Sequence, residues 1–548
     1  MNPIVTVNVS QQQAPTPNAL QKQGAFVSVG GTTIAAGNYE FLSEFSDLEQ
    51  YLSAGVAITS LSWSSAYGGL VTVTTAAAHG IPTNTQFVTT IEGVTPDGYN
   101  GTVLATATGA STFTYYLVTN PGVMTVAGTY TPSNTAELTA MARTFFSQGG
   151  TQGAYVLELG AVSIAAAVAA LQTFIDDSPQ FFYGYLVPRA WDGNSTFLAF
   201  LNNFEATTSK TYFWVTTNLQ NRALYDDTMK DVLALVEAPV YRPWAANTYS
   251  AASWSGGSVT ASTANAHGIH PGDTFVISGA SPAGYNGTFI ALPGTTGSTL
   301  ICAVATNPGA YVSGAALLIR RYTSAGVPAD EFDWAAGFYR ALNFNPSSLN
   351  RVPPYAFGNL TDVTRFPTQG NSALLVSLEG SDTSYVSFGG EGGITNDMLF
   401  KGHTKDGRPF NYWYSADFMQ VAVKQDLANA IINGSNTTIN PLYYNQQGID
   451  RLQQVASATG GRAITYGLAL GRVIITQDDP DVFTQRLNDG EFAGNLVVNA
   501  IPFTTYATQN PSHYKDGIYN GLTMVYTPLV GFEHILFNIQ LTDFVGAR

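Results

Sequence analysis

Cysteine is almost absent from this chain. Its 548 residues include a single cysteine, Cys302, so no disulfide can form within the chain and no cluster of thiolates can hold a metal ion. Stability must therefore come from packing and from assembly. At this length the chain exceeds one ordinary domain and can bury substantial cores without covalent cross-links.

Charged residues are also scarce. They make up 11% of the chain, against about 25% in an average soluble domain, so we expect protein, most economically copies of the same chain, to cover much of the surface. The 37 acidic and 22 basic residues give a formal net charge of −15. This balance argues against nonspecific binding to nucleic acid or to an anionic membrane. We therefore expect no direct nucleic-acid contact and no membrane binding by the subunit.

Long apolar runs are missing as well. No run approaches the roughly 20 residues that a membrane-spanning helix needs. The first residues, MNPIVTVNVS, have neither a basic start nor an apolar signal core. We expect the protein to stay in the compartment in which it is made.

Catalytic motifs do not stand out either. Adjacent carboxylates occur at 176–177, 226–227 and 478–479, but neighbours on a strand or loop point apart, and glycoside hydrolysis needs two carboxyls facing each other across a cleft. The glycine-rich stretch SFGGEGGITND, 387–397, lacks the GK[ST] ending of a phosphate loop, and no GxSxG motif is present. The histidines at 403, 513 and 534 have no recognisable nucleophile partner. We expect no enzyme activity, no catalytic residue, no cofactor and no bound metal.

The sequence contains an internal repeat. The segment AHGIPTNTQFVTTIEGVTPDGYNGTV, 78–103, returns as AHGIHPGDTFVISGASPAGYNGTF, 266–289. Around both copies, short runs rich in Thr, Val, Tyr and Phe are separated by Gly, Pro and Asn, a pattern typical of short strands and tight turns. Landmarks recur at nearly constant separation: Trp63 and Trp254, His79 and His267, Tyr99 and Tyr285, Asn120 and Asn307. The sequence predicts two copies of a small all-β module, sandwich-like or barrel-like, at 60–132 and 248–320.

The repeated histidines invite a metal-binding interpretation. His270 and Asp273 stand near His267, but neither has a counterpart near His79. Because metal sites need several ligands at suitable spacing, a role in a turn or in packing is favoured for both histidines.

The sequence outside the two modules has one consistent pattern of predicted strands and helices when the modules are left out. Strands predicted in AYVLEL, FFYGYLVP and TYFWVTTN alternate with helices predicted in SIAAAVAALQTFI, STFLAFLNNFEATTS and TMKDVLALVE. Alternation of this kind indicates an α/β core with helices on both faces of a sheet. We predict one discontinuous α/β (α+β) core made of 24–59, 133–247 and 321–530, with the modules inserted in its loops.

The final third predicts two long helices, in SADFMQVAVKQDLANAII and QQGIDRLQQVASAT. Beyond them, and again at the start of the chain, apolar residues alternate with polar ones, as in a strand: Val5, Val7 and Val9 in an N-terminal arm and linker, 1–23, and Phe537, Ile539 and Leu541 in a C-terminal strand arm, 531–548. Such strands can pair with neighbouring subunits by β-augmentation or close the chain's own sheet. The spacing favours neither.

Three segments carry a resemblance to a known family. They are LTAMARTFFSQGGTQGAYVLEL, DEFDWAAGFYRALNF and GIYNGLTMVYTPLVGFEHILFNIQL. In order and spacing they resemble the contractile-tail sheath proteins of bacteriophages, over most of the chain outside the modules. The modules themselves look like small β modules, of the Ig-like kind, that decorate other phage virion proteins.

The resemblance implies a structural role in the virion. A sheath subunit is made in the host cytoplasm and forms homohexameric rings that stack helically around a tail tube, linked by terminal arms; the resemblance assigns those arms to the residues named above. Contraction drives the tube through the host envelope for genome ejection. The implied partners are other copies, the tail tube protein, the baseplate and the tail terminator or neck proteins.

Two other structural functions predict different sequence patterns. A virion-surface carbohydrate-binding spike or fibre protein should show long repeats and little α/β core, and a surface-layer subunit should carry an export signal. Neither pattern is found here.

Overall fold

A computed structural model describes residues 20–65, 69–79, 81, 83, 86–117, 119–179, 181–204, 211–237, 245–263, 274–296, 298–312, 316–319, 330–366, 372–389 and 396–533. The chain forms two compact units. Unit 1 comprises Met1–Asn343 and Asn359–Arg408, and unit 2 comprises Phe344–Gly358 and Pro409–Arg548. Helices and several sheets occur together, which confirms the predicted mixed α/β fold class. No helix among the described residues is both long and apolar enough to cross a membrane.

Unit 1 begins with two strands of its main sheet, β1 (Gly24–Ser28) and β2 (Tyr39–Leu42), and continues into the first module. That module contains β3 (Val56–Ser64), β4 (Leu70–Thr75), β5 (Gln86–Glu92), β6 (Gly101–Gly109), β7 (Thr112–Tyr116) and β8 (Thr129–Tyr130). The six strands form a closed barrel in the order β3–β4–β7–β6–β5–β8. The sequence predicted an all-β module of the sandwich or barrel kind, and the first module is a barrel, closed because β6 pairs with both β5 and β7.

After the first module, helices and strands alternate. They are α1 (Ser133–Phe146), β9 (Ala154–Glu158), α2 (Ile164–Asp177), β10 (Gly184–Leu186), α3 (Ser195–Phe204), β11 (Tyr212–Thr217) and β12 (Val232–Val236). The main sheet has the order β12–β11–β10–β1–β9–β2. All its pairings are parallel except that of the edge strand β2 with β9.

Strand β12 corrects one prediction. The sequence TMKDVLALVE was expected to be helical, but Val232–Val236 is a fully buried strand paired with β11. The five residues VLALV are all apolar and leave no polar face. A continuous apolar run of this length does not distinguish a buried helix from a central strand by periodicity.

The inner strands of the main sheet are mostly apolar because both faces are covered. On one face, α2 and α3 share a buried cluster with β1, β10 and β11, in which Leu171 and Phe197 have no solvent exposure. On the other face, Phe26 of β1 contacts the rings of Phe145 in α1 and Phe338. The predicted pairs of strand and following helix are therefore confirmed for β9 with α2 and for β10 with α3, and the strand predicted at β11 is confirmed without its helix.

The second module repeats the first. It contains β13 (Ala245–Ser255), β14 (Ser258–Thr263), β15 (Thr274–Ser278), β16 (Gly287–Ile290), β17 (Thr299–Ala303) and β18 (Ala316–Ile319). Their order, β16–β15–β18–β13–β14–β17, follows the same cyclic sequence as the barrel. In both modules the first and last strands are neighbours, so the chain enters and leaves each module at one place, which suits insertion into a loop.

The repeated landmark residues have structural roles. Ring donors tie equivalent loops together in both modules: Trp63 Nε1 to Leu117 O (2.8 Å), Trp254 Nε1 to Val304 O (2.7 Å), Tyr99 Oη to Gly122 O (2.5 Å) and Tyr285 Oη to Gly309 O (2.8 Å). Half-buried polar groups need such partners. These hydrogen bonds explain why the residues recur.

Unit 1 ends with α4 (Asp333–Leu342), α5 (Ser372–Glu379), β19 (Tyr385–Ser387) and β20 (Met398–Phe400). Ser384, just before β19, exchanges hydrogen bonds with β12, accepting the N–H of Val236 and donating to the carbonyl of Ala234. The outer edge of β12 is therefore covered by the same unit.

Unit 2 contains α6 (Phe410–Ser435), α7 (Gln446–Thr465), β21 (Val473–Thr476), α8 (Pro480–Asn488), β22 (Leu496–Ala500), α9 (Phe503–Gln509), α10 (Pro511–Asp516) and β23 (Leu522–Val525). The long helices α6 and α7 confirm the two helices predicted there. The three strands form a sheet in the order β21–β22–β23. Gln453 of α7 donates to the carbonyls of Thr476 and Val498, which fixes α7 against this sheet.

One asparagine holds the same loop in each module, and this yields a prediction. The Asn100 amide accepts the N–H of Val94 and donates to its carbonyl, both at 2.9 Å, and Asn286 makes the same pair of bonds with Ala280. Asn100→Ala or Asn286→Ala should lower the stability of its module by about 1–3 kcal/mol, since a partly buried backbone N–H and carbonyl lose their partners. Denaturant unfolding should show this loss. The exposed Asn429→Ala is the control, and equal midpoints for all three variants would contradict the assignment.

The module boundaries yield a second prediction. Val56 and Tyr130 are directly paired at the base of the first module, so a short Gly-Ser bridge can replace 57–129 with little cost in loop closure. The shortened chain should fold with its far-ultraviolet circular dichroism per helical residue intact. Loss of the helical signal would mean that the core cannot form without the module.

Candidate functional site

A ligand-binding site is expected at the carboxyl ends of the parallel strands of the main sheet. In open α/β sheets, ligands bind outside these ends, at the point where the strand order reverses. Here β9 lies on one side of β1 and β10 on the other, so the loops after these three strands meet at that point.

A buried glutamate occupies the loops after β1 and β9. Glu158, the last residue of β9, is 1% exposed. Its carboxylate accepts hydrogen bonds from the hydroxyls of Ser28 and Thr32, both at 2.7 Å, and from the N–H groups of Gly30 (2.6 Å), Thr32 (3.2 Å) and Gly160 (2.7 Å). Five neutral donors thus surround one internal carboxylate.

The loop that forms this cradle depends on glycine. Gly30 has φ +77°, and a Cβ there would lie 2.6 Å from the Cβ of Ala161. Backbone N–H groups in such a loop make a concavity that binds anions such as phosphate. In this protein the anion is supplied by Glu158, so the donors of the loop are already used.

A second internal group fills the loop after β10. The guanidinium of Arg189 makes a bidentate ion pair with Glu237, at the end of β12, with both N···O distances 2.6 Å. Its Nη2 also donates to the carbonyl of Glu331 at 2.7 Å, and its plane lies 4.2 Å from the ring centre of Phe332. Glu137 of α1 accepts the backbone N–H of Arg189 at 3.0 Å.

Ionisation in this cluster is shifted by burial and by neighbouring charge. Burial alone would lower the pKa of Arg189, but Glu237 and Glu137 outweigh it and raise that pKa above its ordinary value. Burial raises the pKa of Glu137, against the opposing effect of Arg189. Burial, with Glu331 beside it, raises the pKa of Asp333 well above the ordinary range. The guanidinium therefore stays charged within a group of carboxylates.

The bonds of Arg189 hold separate segments of the chain together. Arg189 links α1, the end of β12 and the start of α4, and its donors point at protein acceptors. A substrate phosphate or carboxylate would have to displace Glu237 from a bidentate geometry that is among the strongest side-chain pairings. Both positions at the carboxyl edge are thus occupied by the chain's own side chains.

Sequence analysis did not identify Glu158 or Arg189. A charged residue inside each of the apolar runs AYVLELG and YLVPRAW was the available signal, because a buried charge requires partners. The partners, however, are 48 to 142 positions away in the chain for Arg189, and no local pattern indicates them.

The histidines considered from the sequence lie in separate places. His79 places Nε2 3.2 Å from the carbonyl of Thr112 and accepts the N–H of Ile81 at Nδ1, a turn-stabilising role. His267 lies outside the described residues. His403 is buried, with Nδ1 3.0 Å from Asp382, and the hydrogen bond from His403 is the main reason that the pKa of Asp382 is lowered. No local sequence pattern indicates this partner, which lies 21 positions away.

The adjacent carboxylates are also dispersed. Asp176 accepts the side-chain amide of Gln172, Asp226 accepts Thr228, and Asp478 pairs with Arg486. Among the described residues, no three His, Cys, Asp or Glu side chains are placed to hold one metal ion.

The predicted arm residues, Val5, Val7, Val9, Phe537, Ile539 and Leu541, lie outside the described residues. The described part of the chain does contain a sheet with open edges. Within it, β21 and β23 of unit 2 each pair with β22, and Ile475 of β21 is 53% exposed.

Comparison with known proteins found likeness among solved structures and none among protein-family models or curated proteins. No protein-family model matches the sequence, and no curated protein matches it. Among solved structures, the chain is similar to a sheath tail protein from Listeria innocua, with 10% sequence identity and a TM-score of 0.33, over 83% of this chain and 88% of that one.

The Glu158 cradle yields a prediction. Glu158→Gln places an amide N–H₂ among five donors, so we expect a loss of about 3 kcal/mol or more in the stability of unit 1. Glu92→Gln, on the exposed surface of the first module, is the matched control and should leave stability unchanged. Denaturant midpoints followed by intrinsic tryptophan fluorescence measure both. A Glu158→Gln midpoint equal to that of the wild type would show that the cradle contributes nothing to stability.

Proposed function

We propose that this protein is a structural subunit of a contractile bacteriophage tail sheath. In this role it polymerises as hexameric rings around a tail tube and contracts to drive that tube through the host envelope. The observation that carries the proposal is the three-stranded sheet of unit 2, both of whose outer strands lack a further partner strand among the described residues, together with the strand-like alternation of the sequences near both ends.

The open edges fit the chemistry of β-augmentation. An edge strand presents a row of unpaired N–H and C=O groups, which is an aggregation hazard in a monomer and a binding site in a polymer. Val5, Val7 and Val9 would pair along one edge, and Phe537, Ile539 and Leu541 along another. The alternative is that these segments close the sheet within their own subunit.

A main-chain ladder suits a contracting lattice. Its hydrogen bonds depend little on side-chain detail, and a linker of the composition SQQQAPTPNA, 10–19, would let the chain change direction while the strand stays paired. Subunits could therefore turn and move outward without losing their connection to their neighbours.

The carboxyl edge of the main sheet supports a non-enzymatic role. In doubly wound sheets this edge is the usual ligand position, and here Glu158 and Arg189 are bonded to groups of the same chain. A protein that serves as scaffold can use these positions for stability.

The modules fit decoration of the particle surface. Segments 60–132 and 248–320 together contain four charged residues, Glu92, Asp97, Asp273 and Arg320. Copies of such modules can come close together with little like-charge repulsion. For a carbohydrate-binding spike we would expect free aromatic faces and donors, whereas the indole N–H groups of Trp63 and Trp254 are bonded to main-chain carbonyls. The spike function is therefore the second candidate.

The arm hypothesis yields a test by substitution. Val7→Pro removes a ladder donor and fixes φ, so it should prevent assembly and leave the fold of the subunit intact. Val7→Thr keeps the N–H and the β-branched shape, and it should assemble normally. A chain ending at Val530 should fail to assemble in the same way as Val7→Pro.

Circular dichroism and electron microscopy of the same samples measure folding and assembly separately. Normal tubes from Val7→Pro and from the truncated chain would contradict exchange of the arms. Unfolding of both variants would assign the strands to the subunit's own sheet.

A further inference from the structure

Four aromatic side chains of unit 2 form a cluster at one end of its three-stranded sheet. Tyr444 lies just before α7, Phe503 begins α9, Tyr514 lies in α10, and Tyr519 lies just before β23. The ring centre of Tyr444 is 5.7 Å from that of Phe503, 5.2 Å from that of Tyr514 and 6.1 Å from that of Tyr519. The rings of Phe503 and Tyr514 are 5.5 Å apart. We call these four residues the aromatic shelf.

Hydrogen bonds hold the inner rings of the aromatic shelf in place. The hydroxyl of Tyr444 donates to the carbonyl of Ile518 at 2.8 Å. The hydroxyl of Tyr519 donates to the carbonyl of Ile501 at 2.6 Å. Because these rings are already fixed, a segment that packs on them orders few further side chains of the shelf when it binds.

The outer face of the aromatic shelf is apolar and accessible to solvent. Tyr514 is 51% exposed, and Ile518, whose carbonyl accepts the Tyr444 hydroxyl, is 42% exposed. Tyr444 and Phe503 are half-buried. Single exposed apolar residues are common on proteins, but a group of accessible aromatic rings is typical of a surface that binds another segment. The described residues leave this face uncovered.

The linker near the start of the chain has matching chemistry. Residues 10–19, SQQQAPTPNA, contain two prolines, Pro15 and Pro17, each preceded by a small residue. Proline fixes φ and directs the residue before it towards an extended backbone, and aromatic surfaces bind such polyproline II segments at a low entropic cost. Residues 1–20 carry no charged side chain, so no charge would have to lose its water on the apolar rings.

The position of the aromatic shelf agrees with exchange of the N-terminal arm. Phe503 follows the end of β22 at Ala500, and Tyr519 precedes the start of β23 at Leu522. The shelf therefore lies at the carboxyl end of β22 and the amino end of β23. Strand β23 is antiparallel to β22 and has no partner strand on its other side among the described residues. An arm strand antiparallel to β23 would have its carboxyl end at the shelf.

The chain between the arm and the prolines is long enough to reach the shelf. Residues 10–14 separate Val9, the last apolar residue of the alternating arm, from Pro15. An extended chain spans about 20 Å over these steps, which is about four times the spacing between neighbouring strands. Pro15 can therefore contact the shelf of the subunit with which its own arm strand pairs.

We propose that the aromatic shelf binds the proline-containing segment 14–17 of a neighbouring copy of this chain. The inference rests on the arm exchange of the proposed function: the N-terminal arm pairs along β23, and the shelf holds the linker where it leaves that strand. The rings of Tyr514 and Phe503 pack against the prolines. The rest of the linker, towards β1, turns from this fixed point.

The shelf gives the arm a register that its own residues do not define. Val5, Val7 and Val9 are identical and alternate with polar residues, so a slip of two positions would place valine on valine and keep the same face towards the sheet. Main-chain hydrogen bonds would be nearly the same after such a slip. A side-chain contact at Pro15 and Pro17, outside the ladder, selects one of these registers.

The test measures binding of a fluorescently labelled peptide of residues 10–19 to the full chain by fluorescence anisotropy. The receiving chain carries Pro15→Ala and Pro17→Ala, so that its own linker competes poorly for the shelf. We expect saturable binding. The affinity should fall about tenfold when both prolines of the peptide are replaced by alanine, and about tenfold when the receiving chain also carries Tyr514→Ala, because loss of one aromatic anchor at an interface has about this effect.

Two variants of the receiving chain are matched controls. Tyr514→Phe keeps the ring and should bind the peptide with unchanged affinity. Phe532→Ala removes a ring that is 82% exposed and is not part of the shelf, and it should also leave the affinity unchanged. Circular dichroism checks the folding of each variant, and the comparison of the two peptides does not depend on any shelf variant.

Three outcomes would overturn the proposal. They are the absence of peptide binding, equal affinity for the proline and alanine peptides, and an unchanged affinity in folded Tyr514→Ala. If the full chain does not bind the peptide but a chain ending at Val530 does, residues 531–548 of the same chain cover the shelf, and the proposal is wrong for that reason.

Peptide binding and assembly are measured separately, so the two proposals can fail independently. Tubes in electron micrographs together with no peptide binding would support the sheath function and overturn the role of the shelf. Peptide binding by a chain that forms neither rings nor tubes would support recognition of the linker by the shelf and contradict the sheath function.

Discussion

The ion pair between Arg189 and Glu237 is the interaction on which the arrangement of unit 1 depends. A guanidinium in a largely buried position must be paired, because removing one partner of a buried pair costs about 3–5 kcal/mol. The requirement to satisfy Arg189 brings the end of β12, the start of α4 and Glu137 of α1 to one point. Once α4 is fixed there, Trp334 can donate its indole N–H to Leu233, and Phe338 can pack against Trp214.

The pairing of Arg189 also occupies part of the carboxyl edge of the main sheet, where a ligand would otherwise bind. Strand order and direction give unit 1 the geometry of a ligand-binding α/β fold, but fold alone does not determine function. The loops after β1, β9 and β10 are bonded to Glu158 and Arg189, and each of these groups joins segments that are far apart in sequence. Glu158 and Arg189 therefore stabilise this edge of the sheet, and the contacts that we propose with other subunits would lie at strand edges and on the modules.

Part of this architecture could be predicted from the sequence, because it depends on patterns among residues close together in the chain. The strands of the main sheet are short apolar runs, the stripe of α2 recurs at helical spacing, and the duplicated phrase gave two modules. Prediction failed where a pattern had two meanings, as in VLALV of β12, which contains neither helical nor alternating periodicity. It also failed where the partner is remote: Glu158 finds Ser28, and Thr364 finds Glu331, through the folded topology and not through spacing. The closed shape of the first module was another long-range outcome, since it depends on β6 pairing on both sides.

The central claim is that this chain is built to polymerise around a tube, and negative-stain electron microscopy of the purified wild-type protein over a range of concentrations tests it most directly. Our account predicts hollow tubes or stacked six-fold rings with small projections on the outside, because the unpaired sheet edges of the described residues and the arms proposed at both ends would favour association of identical subunits. Separate single particles at every concentration, with neither rings nor tubes, would contradict it.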